Sequence, residues 1–409
     1  MLSTPWRPEP RALAVLWASL AVFCVTRAPA SDAPHGDVPS GQRPSSATES
    51  TLDPALQDVA RQLLTAARPI VGGVVAVHAP SGQILALSEY RRAGEERHPL
   101  TRAITPAASL FKLVTSTALY ERAHLTPDKT VCISGGERGI ERFHLTPPRG
   151  NVPRLCRPFE EALGFSRNAV FAQLATQHLF HRDLVEVAER LGFNRPLSFD
   201  APAQMGTLSV PYNDLEFART AAGFRGSRLS ILGAAQLAYL VASGGRPPRM
   251  TTERITTERR DTSASLEPET EPSEAAMSPV TARRLRRMME VTIHSGTCLE
   301  AFTSESGQSY LGQIRVAGKT GTLRPRADGP TTSWFIGFAP SRAPELVVAV
   351  MLENSAVWRR KANFVARDLM RAYFQDRPGV THPFEAPIAG APARKETPPV
   401  TASAAAPAP

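Results

Sequence analysis

Lysine is the scarcest charged residue in this chain of 409 residues. Only Lys112, Lys129, Lys319, Lys361 and Lys395 occur, while Lys and Arg together number 47. The positive charge rests on scattered arginines, with no long basic cluster and no basic stretch interleaved with aromatics. The net charge of +9 therefore does not point to a nucleic-acid partner. Four cysteines are too few for a disulfide-built scaffold, and no Cys/His spacing suits zinc. His178 and His181 share a helix face but have no third ligand. The pattern calls for neither metal nor cofactor. Gly-x-Ser-x-Gly is absent, which argues against a Ser-His-Asp hydrolase. Beyond Ala30 no stretch approaches the roughly 20 apolar residues that span a bilayer.

What is present begins with an export signature. Arg7 and Arg11 precede an apolar run over 12–25, and Ala28-Pro29-Ala30 has the form of a cleavage site. Residues 1–30 read as a signal peptide, or as an uncleaved anchor to the inner membrane, so the mature protein belongs to the periplasm or cell envelope. Export permits disulfides. Cys132 and Cys156 flank a polar, Gly-rich stretch and are candidates for a bridge, which leaves Cys298 as a small buried residue. Residues 31–50, rich in Pro, Ser, Gly and Asp, read as a disordered linker. Residues 51–376 read as one folded domain and 377–409 as a disordered Pro/Ala-rich tail.

Within 51–376 the order of elements suggests an α+β fold. A helix over 52–67 opens with Asp53 as cap and Pro54 in the first turn. A hairpin follows, with strands over 72–78 and 83–88 about the Ala79-Pro80-Ser81-Gly82 turn. From 120 to 245 the chain lacks strand alternation and reads as a mostly helical insertion, with helices over 169–180, 184–191 and 232–241. Residues 250–277 read as an exposed excursion. Ser278-Pro279 opens a helix to about 293. Strands over 312–322, 332–338 and 345–352 and a helix over 361–374 complete the pattern. It predicts one antiparallel sheet of about five strands, with the terminal helices on one face and the helical subdomain on the other.

Two of the five lysines lie in short patterns that carry chemistry. Ser109 and Lys112, three residues apart, share a helix face, and the stretch that follows is apolar on nearly every side. A lysine buried there needs a partner or loses its proton, and a neutral lysine beside a hydroxyl is a base beside a nucleophile. Alone, Ser-x-x-Lys is common by chance. Ser166-Arg167-Asn168 precedes a helix, where both Ser and Asn also serve as caps. Lys319-Thr320-Gly321-Thr322 ends a strand, as many turns do.

In this order and in these contexts the three patterns resemble the active-site motifs of the penicillin-binding proteins and serine β-lactamases. The resemblance covers roughly 51–373. It includes Thr51-Leu52-Asp53-Pro54-Ala55-Leu56-Gln57, the hairpin, Gly223-Phe224-Arg225-Gly226, Gly296-Thr297 and Trp334 to Pro340. It implies a penicillin-binding-protein/β-lactamase-like fold and an acyl-serine enzyme acting on peptidoglycan stem peptides. That enzyme is a D,D-transpeptidase or D,D-carboxypeptidase, with β-lactams as covalent inhibitors. A serine β-lactamase, class D-like, and a non-catalytic peptidoglycan-binding envelope protein are the alternatives. The implied roles are Ser109 as nucleophile, Lys112 as its base, Ser166 as relay to the leaving amine, and Asn168 holding Lys112 and the substrate amide. Lys319, Thr320 and Thr322 would receive the substrate carboxylate, and Gly321 would admit its backbone. The N–H groups of Ser109 and Thr322 would form the oxyanion hole. The stretch before Thr51 is too short for a glycosyltransferase domain, which leaves a separate glycosyltransferase as a partner. Ala107-Ala108 and Leu110 depart from the family's common residues beside the catalytic pair and bear on substrate preference.

Overall fold

The computed structural model describes residues 47–256, 274–324, 328–355 and 359–382. Helix α1, Pro54–Ala67, starts where its cap signal stands: the Asp53 side chain accepts from the Leu56 N–H and Pro54 occupies the first turn. Strands β1, Val71–His78, and β2, Ile84–Arg91, form the hairpin. Then come the helices α2, Lys112–Glu121, α3, Asn168–His178, α4, Ile231–Ala242, and α5, Pro279–His294. The Ser278 Oγ caps α5 by accepting from the Thr281 N–H. Strands β3, Ala317–Leu323, β4, Thr331–Ala339, and β5, Leu346–Asn354, precede the closing helix α6, Ala362–Tyr373.

The five strands form one antiparallel sheet in the order β3-β4-β5-β1-β2. Every residue of β4 and β5 is buried, because both faces of the sheet are covered. Alternation then sorts the side chains. Phe335, Ala339, Val348 and Val350 pack with Leu63, Leu64, Val365 and Leu369 of the terminal helices. Trp334, Ile336, Phe338 and Val347 pack with the helical subdomain, including Leu113, Phe171 and Leu237. Each such large apolar side chain contributes about 1.5–3 kcal/mol by leaving water. The layer order is the expected one.

A buried ion cluster fixes α6. Asp368 is fully buried and accepts from Arg360, Arg367 and Arg371. Arg367 also donates to the Ala301 carbonyl, and Arg371 to those of Thr381 and His382. A carboxylate so surrounded has its charge compensated and its lone pairs used. The N-terminus of α6, at Lys361 and Asn363, is held in one orientation as a result.

Several expected boundaries move. Residues 47–50 of the expected linker form a strand, Ala47–Ser50, paired with Glu253–Thr256. The strand expected over 312–322 begins only at Ala317. The helical insertion contributes strands to two small sheets. One pairs Thr130–Ile133 with Leu155–Pro158, and the other joins Thr105–Pro106, Ser227–Leu229 and Gly206–Leu208. These strands are two to four residues long, too short to register as alternation. At the ends of the expected excursion Met250 and Met277 are buried, and 257–273 lies outside the described residues. Of the expected tail, 377–382 packs against α6, and 383–409 lies outside the described residues, as do residues 1–46 with the expected signal peptide. No helix among the described residues is long and apolar enough to cross a membrane.

Candidate active site

Ser109 does not share an α-helix with Lys112. Ala108–Phe111 form a single 3-10 turn that runs into α2 at Lys112. Residues i and i+3 nearly eclipse in such a turn, which brings the two side chains closer than an α-helix face does. The Lys112 Nζ donates to Ser109 Oγ at 2.7 Å and to the Ala222 carbonyl at 2.8 Å. The rest of α2 through Tyr120 is buried, and Thr115 Oγ1 donates to the Ala221 carbonyl at 2.8 Å.

The turn is held from several sides. Ala108 has φ +50°, a left-handed conformation that is costly for a residue with a Cβ. Gly223, at φ +87°, lies against it so closely that a Cβ there would stand 2.1 Å from the Ala108 carbonyl oxygen. Trp334 is fully buried and its Nε1 donates to the Pro106 carbonyl at 2.9 Å. Its cross-strand partner is Gly321, where a Cβ would lie 3.3 Å from the Ala108 Cβ. Gly321 thus lies tight against the turn that bears Ser109.

Ser166 and Lys319 complete a chain of polar atoms. Ser166 has φ +53°, a left-handed residue in the turn that follows the Phe159–Ala162 helix, and it lines the cleft. Its Oγ donates to Ser109 Oγ at 3.0 Å and accepts from Lys319 Nζ at 3.3 Å. Lys319 also donates to the Thr320 carbonyl at 2.7 Å. Both lysines are fully buried. Burial, then the nearby charge of Lys319, drives the Lys112 ammonium well below its ordinary value. Burial pushes Lys319 down to about 7, and the neighbouring Cys298 sulfur opposes this. Cys298 is itself pushed up to about 12, chiefly by burial, so it stands as a neutral thiol at neutral pH.

Two of the expected residues make contacts that the sequence did not foresee. Asn168 does not touch Lys112: its Nδ2 donates to the carbonyls of Gly136 at 3.2 Å and Glu137 at 2.8 Å. It pins the polar loop whose base is the Thr130–Ile133/Leu155–Pro158 ribbon, and there Cys132 and Cys156 are register partners joined by a disulfide. Lys319 lies on the opposite pleat face from Thr320 and Thr322, with no exposed surface. It reaches the site through Ser166 and not through open solvent. Thr320 Oγ1 shares a 2.7 Å hydrogen bond with Thr297 Oγ1.

β3 is the edge strand of the sheet. The Thr320 carbonyl accepts from Lys319, so it turns outward. In an antiparallel strand the N–H and C=O of one residue face the same side and alternate residues match. Thr322 therefore also presents its backbone to the open edge, toward Ser109.

Ser109, Ser166, Asn168, Thr320 and Thr322 line one cleft of about 390 Å³. Glu137, Arg167, Thr297, Glu300, Lys361, Asn363 and Phe364 line it too. The sequence reading gave no role to these residues. Gly296-Thr297 stood out only as part of the resemblance, and Lys361 only as one of few lysines.

This fold and cleft define a class, and comparison with known proteins identifies it. The model of the penicillin binding protein transpeptidase domain matches residues 72–374. The chain belongs to that family. It is similar to the peptidoglycan D,D-transpeptidase PbpA of Mycobacterium tuberculosis, at 26% identity over 347 residues, covering 75% of this chain and 67% of the relative. Among solved structures, the transpeptidase domain of Burkholderia pseudomallei penicillin-binding protein 3 aligns with TM-score 0.62 and 20% identity, over 82% of this chain and 98% of that one. The imipenem acyl-enzyme complex of penicillin-binding protein A from M. tuberculosis aligns with TM-score 0.60 and 21% identity, over 80% and 79%.

Proposed function

We propose that this protein is a serine-type D,D-transpeptidase of the cell envelope that acts on peptidoglycan stem peptides and is acylated by β-lactams. The observation that carries the reading is the 2.7 Å contact between Ser109 Oγ and a Lys112 Nζ that burial disposes to be neutral. A neutral amine accepts the hydroxyl proton as Ser109 Oγ attacks the scissile carbonyl. Negative charge develops on the carbonyl oxygen, where the N–H groups of Ser109 and Thr322 receive it. Ser166, in contact with both Ser109 and Lys319, carries a proton to the departing amine. The stem peptide is left as an ester on Ser109, and the amine of a second stem peptide displaces the serine. Thr320 and Thr322 line the cleft and offer hydroxyls to the substrate carboxylate. Asn168 acts indirectly, by holding the loop at Gly136 and Glu137 against the cleft. In this reading residues 1–30 direct export as a cleaved signal or retained anchor, the folded domain spans 51–376, and a separate glycosyltransferase supplies the glycan strands.

The test is labelling with a fluorescent penicillin, followed by intact-mass and peptide analysis. Label on Ser109, lost in Ser109→Ala, is expected. Label that persists in Ser109→Ala rejects the assignment.

A further inference from the structure

Thr297 lines the cleft, and the transpeptidase reading gives it no task. Its backbone is fixed from three sides. The Thr297 N–H donates to the carbonyl of Gly164, two residues before Ser166, at 3.2 Å, and the Cys298 N–H donates to the Thr292 carbonyl at 2.9 Å. Gly296 lies so close to Gly164 that a Cβ there would stand 2.2 Å from the same carbonyl oxygen. Cys298 is fully buried and leads into the Leu299–Phe302 turn. Between a glycine that abuts backbone and a cysteine that faces the core, Thr297 presents its side chain to the cleft. There its Oγ1 meets Thr320 Oγ1 at 2.7 Å. Neither hydroxyl has another hydrogen-bond partner among the described residues. Each carries one proton and can also accept, so in the free protein either atom can donate. A carboxylate has no proton to give and selects one arrangement. Thr320 then turns its proton to the carboxylate and accepts from Thr297.

We propose that Thr297 is a positioning residue that donates to Thr320 Oγ1, so that the Thr320 proton points at the substrate's terminal carboxylate. This rests on the reading of Ser109 as nucleophile. A hydroxyl that accepts one hydrogen bond donates a stronger one, because successive hydrogen bonds polarise one another. The contact also stops the Thr320 hydroxyl from turning freely, so less order is lost when the substrate arrives. Thr320 is thus held at its carbonyl by Lys319 and at its hydroxyl by Thr297. The chain of donors runs from Thr297 through Thr320 to the carboxylate, and Thr297 acts without touching the substrate. Its backbone bond to Gly164 ties the Thr320 wall of the cleft to the segment that carries Ser166.

The experiment compares acylation of the full chain by benzylpenicillin, which bears the carboxylate, and by its methyl ester, which does not. Second-order rates are read by intact mass in the parent protein, Thr297→Val, Thr297→Ser, Thr320→Val and the Thr297→Val/Thr320→Val pair. Val keeps the shape of Thr and removes the hydroxyl. Thr297→Val is expected to slow acylation by the acid about 5-fold, the effect of one hydrogen bond of ordinary strength, and to leave the ester rate unchanged. Thr297→Ser keeps the hydroxyl and most of the acid rate. In the Thr320→Val background Thr297→Val has no further effect, because the residue it acts through is gone. The role of Thr297 alone is overturned by the same loss in that background, by equal losses for acid and ester, by a loss in Thr297→Ser as large as in Thr297→Val, or by no loss at all. Failure of both compounds to acylate Ser109 in the parent protein overturns the nucleophile assignment, and the role of Thr297 with it.

Discussion

Replacing Lys319 with Met should make the protein more stable and less active. Lys319 is fully buried, and its pKa falls from 10.5 to about 7 on folding. In the unfolded chain the same group titrates near its ordinary value, about 10.4. Between those two values the unfolded state holds a proton that the folded state has lost. The parent protein therefore gains stability as pH rises from about 7 to about 10.4, by up to ~1.4 kcal/mol per pH unit. At pH 7 the accumulated cost of burying the group is at most about 4 kcal/mol. Met fills nearly the same space without a charge. Against this gain stand the hydrogen bonds to Thr320 and Ser166, each contributing about 1 kcal/mol. The net expectation is stabilisation by about 2 kcal/mol at pH 7. The gap should shrink as pH rises, vanish near about pH 9 where the burial cost has fallen to the roughly 2 kcal/mol of lost hydrogen bonds, and reverse sign above that, because the mutant lacks the titration. Denaturant unfolding at pH 7, 8 and 9, with the disulfide intact, measures the gap directly. Penicillin acylation of the same variant should fall steeply, since Ser166 loses the donor that orients it. A variant less stable than the parent at pH 7, or a stability gap that does not change with pH, refutes the reasoning.

Three further outcomes are expected. Gly223→Ala would set a methyl group 2.1 Å from the Ala108 carbonyl oxygen at φ +87°; stability should fall by about 1–3 kcal/mol and penicillin labelling of Ser109 should fall with it, so unchanged labelling would show that Gly223 does not hold the turn. Removing the Cys132–Cys156 bridge, which closes a sequence separation of 24, should cost about 3 kcal/mol; peptide mapping without reduction checks the bridge, and denaturant midpoints of the double Cys→Ser variant check its effect. The acyl-enzyme should decay slowly, with negligible turnover of a chromogenic cephalosporin, because no carboxylate among the described residues hydrogen-bonds Ser109 or Lys112; rapid hydrolysis abolished in Ser109→Ala would establish a serine β-lactamase instead.

Local features of the chain were enough to determine its main elements and to pick out the candidate residues of the site. Asp53-Pro54 and Ser278-Pro279 start helices where they stand, because capping is decided within one turn. The apolar strands of the hairpin and of β4 and β5 are legible because a strand buried on both faces needs a continuous apolar run. Ser109, Lys112, Ser166 and Lys319 are recognisable because each lies in a short motif of set spacing. What those residues touch was decided only by tertiary structure. Whether Asn168 reaches Lys112 or the carbonyls of Gly136 and Glu137 depends on where a loop 31 to 32 residues away returns. Whether Lys319 faces solvent or Ser166 depends on which pleat face the sheet turns inward, and the register of β3 against β4 sets that face. Gly321 and Gly223 owe their identity to the turn at Ala108, which comes close only once the sheet and the helical subdomain have packed together. The placement of the start of α6 against β4 passes through one buried hydrogen bond, from the Ala362 N–H to Ser333 Oγ. Contacts of this kind join residues distant in sequence, and no periodicity or cap along the chain encodes them.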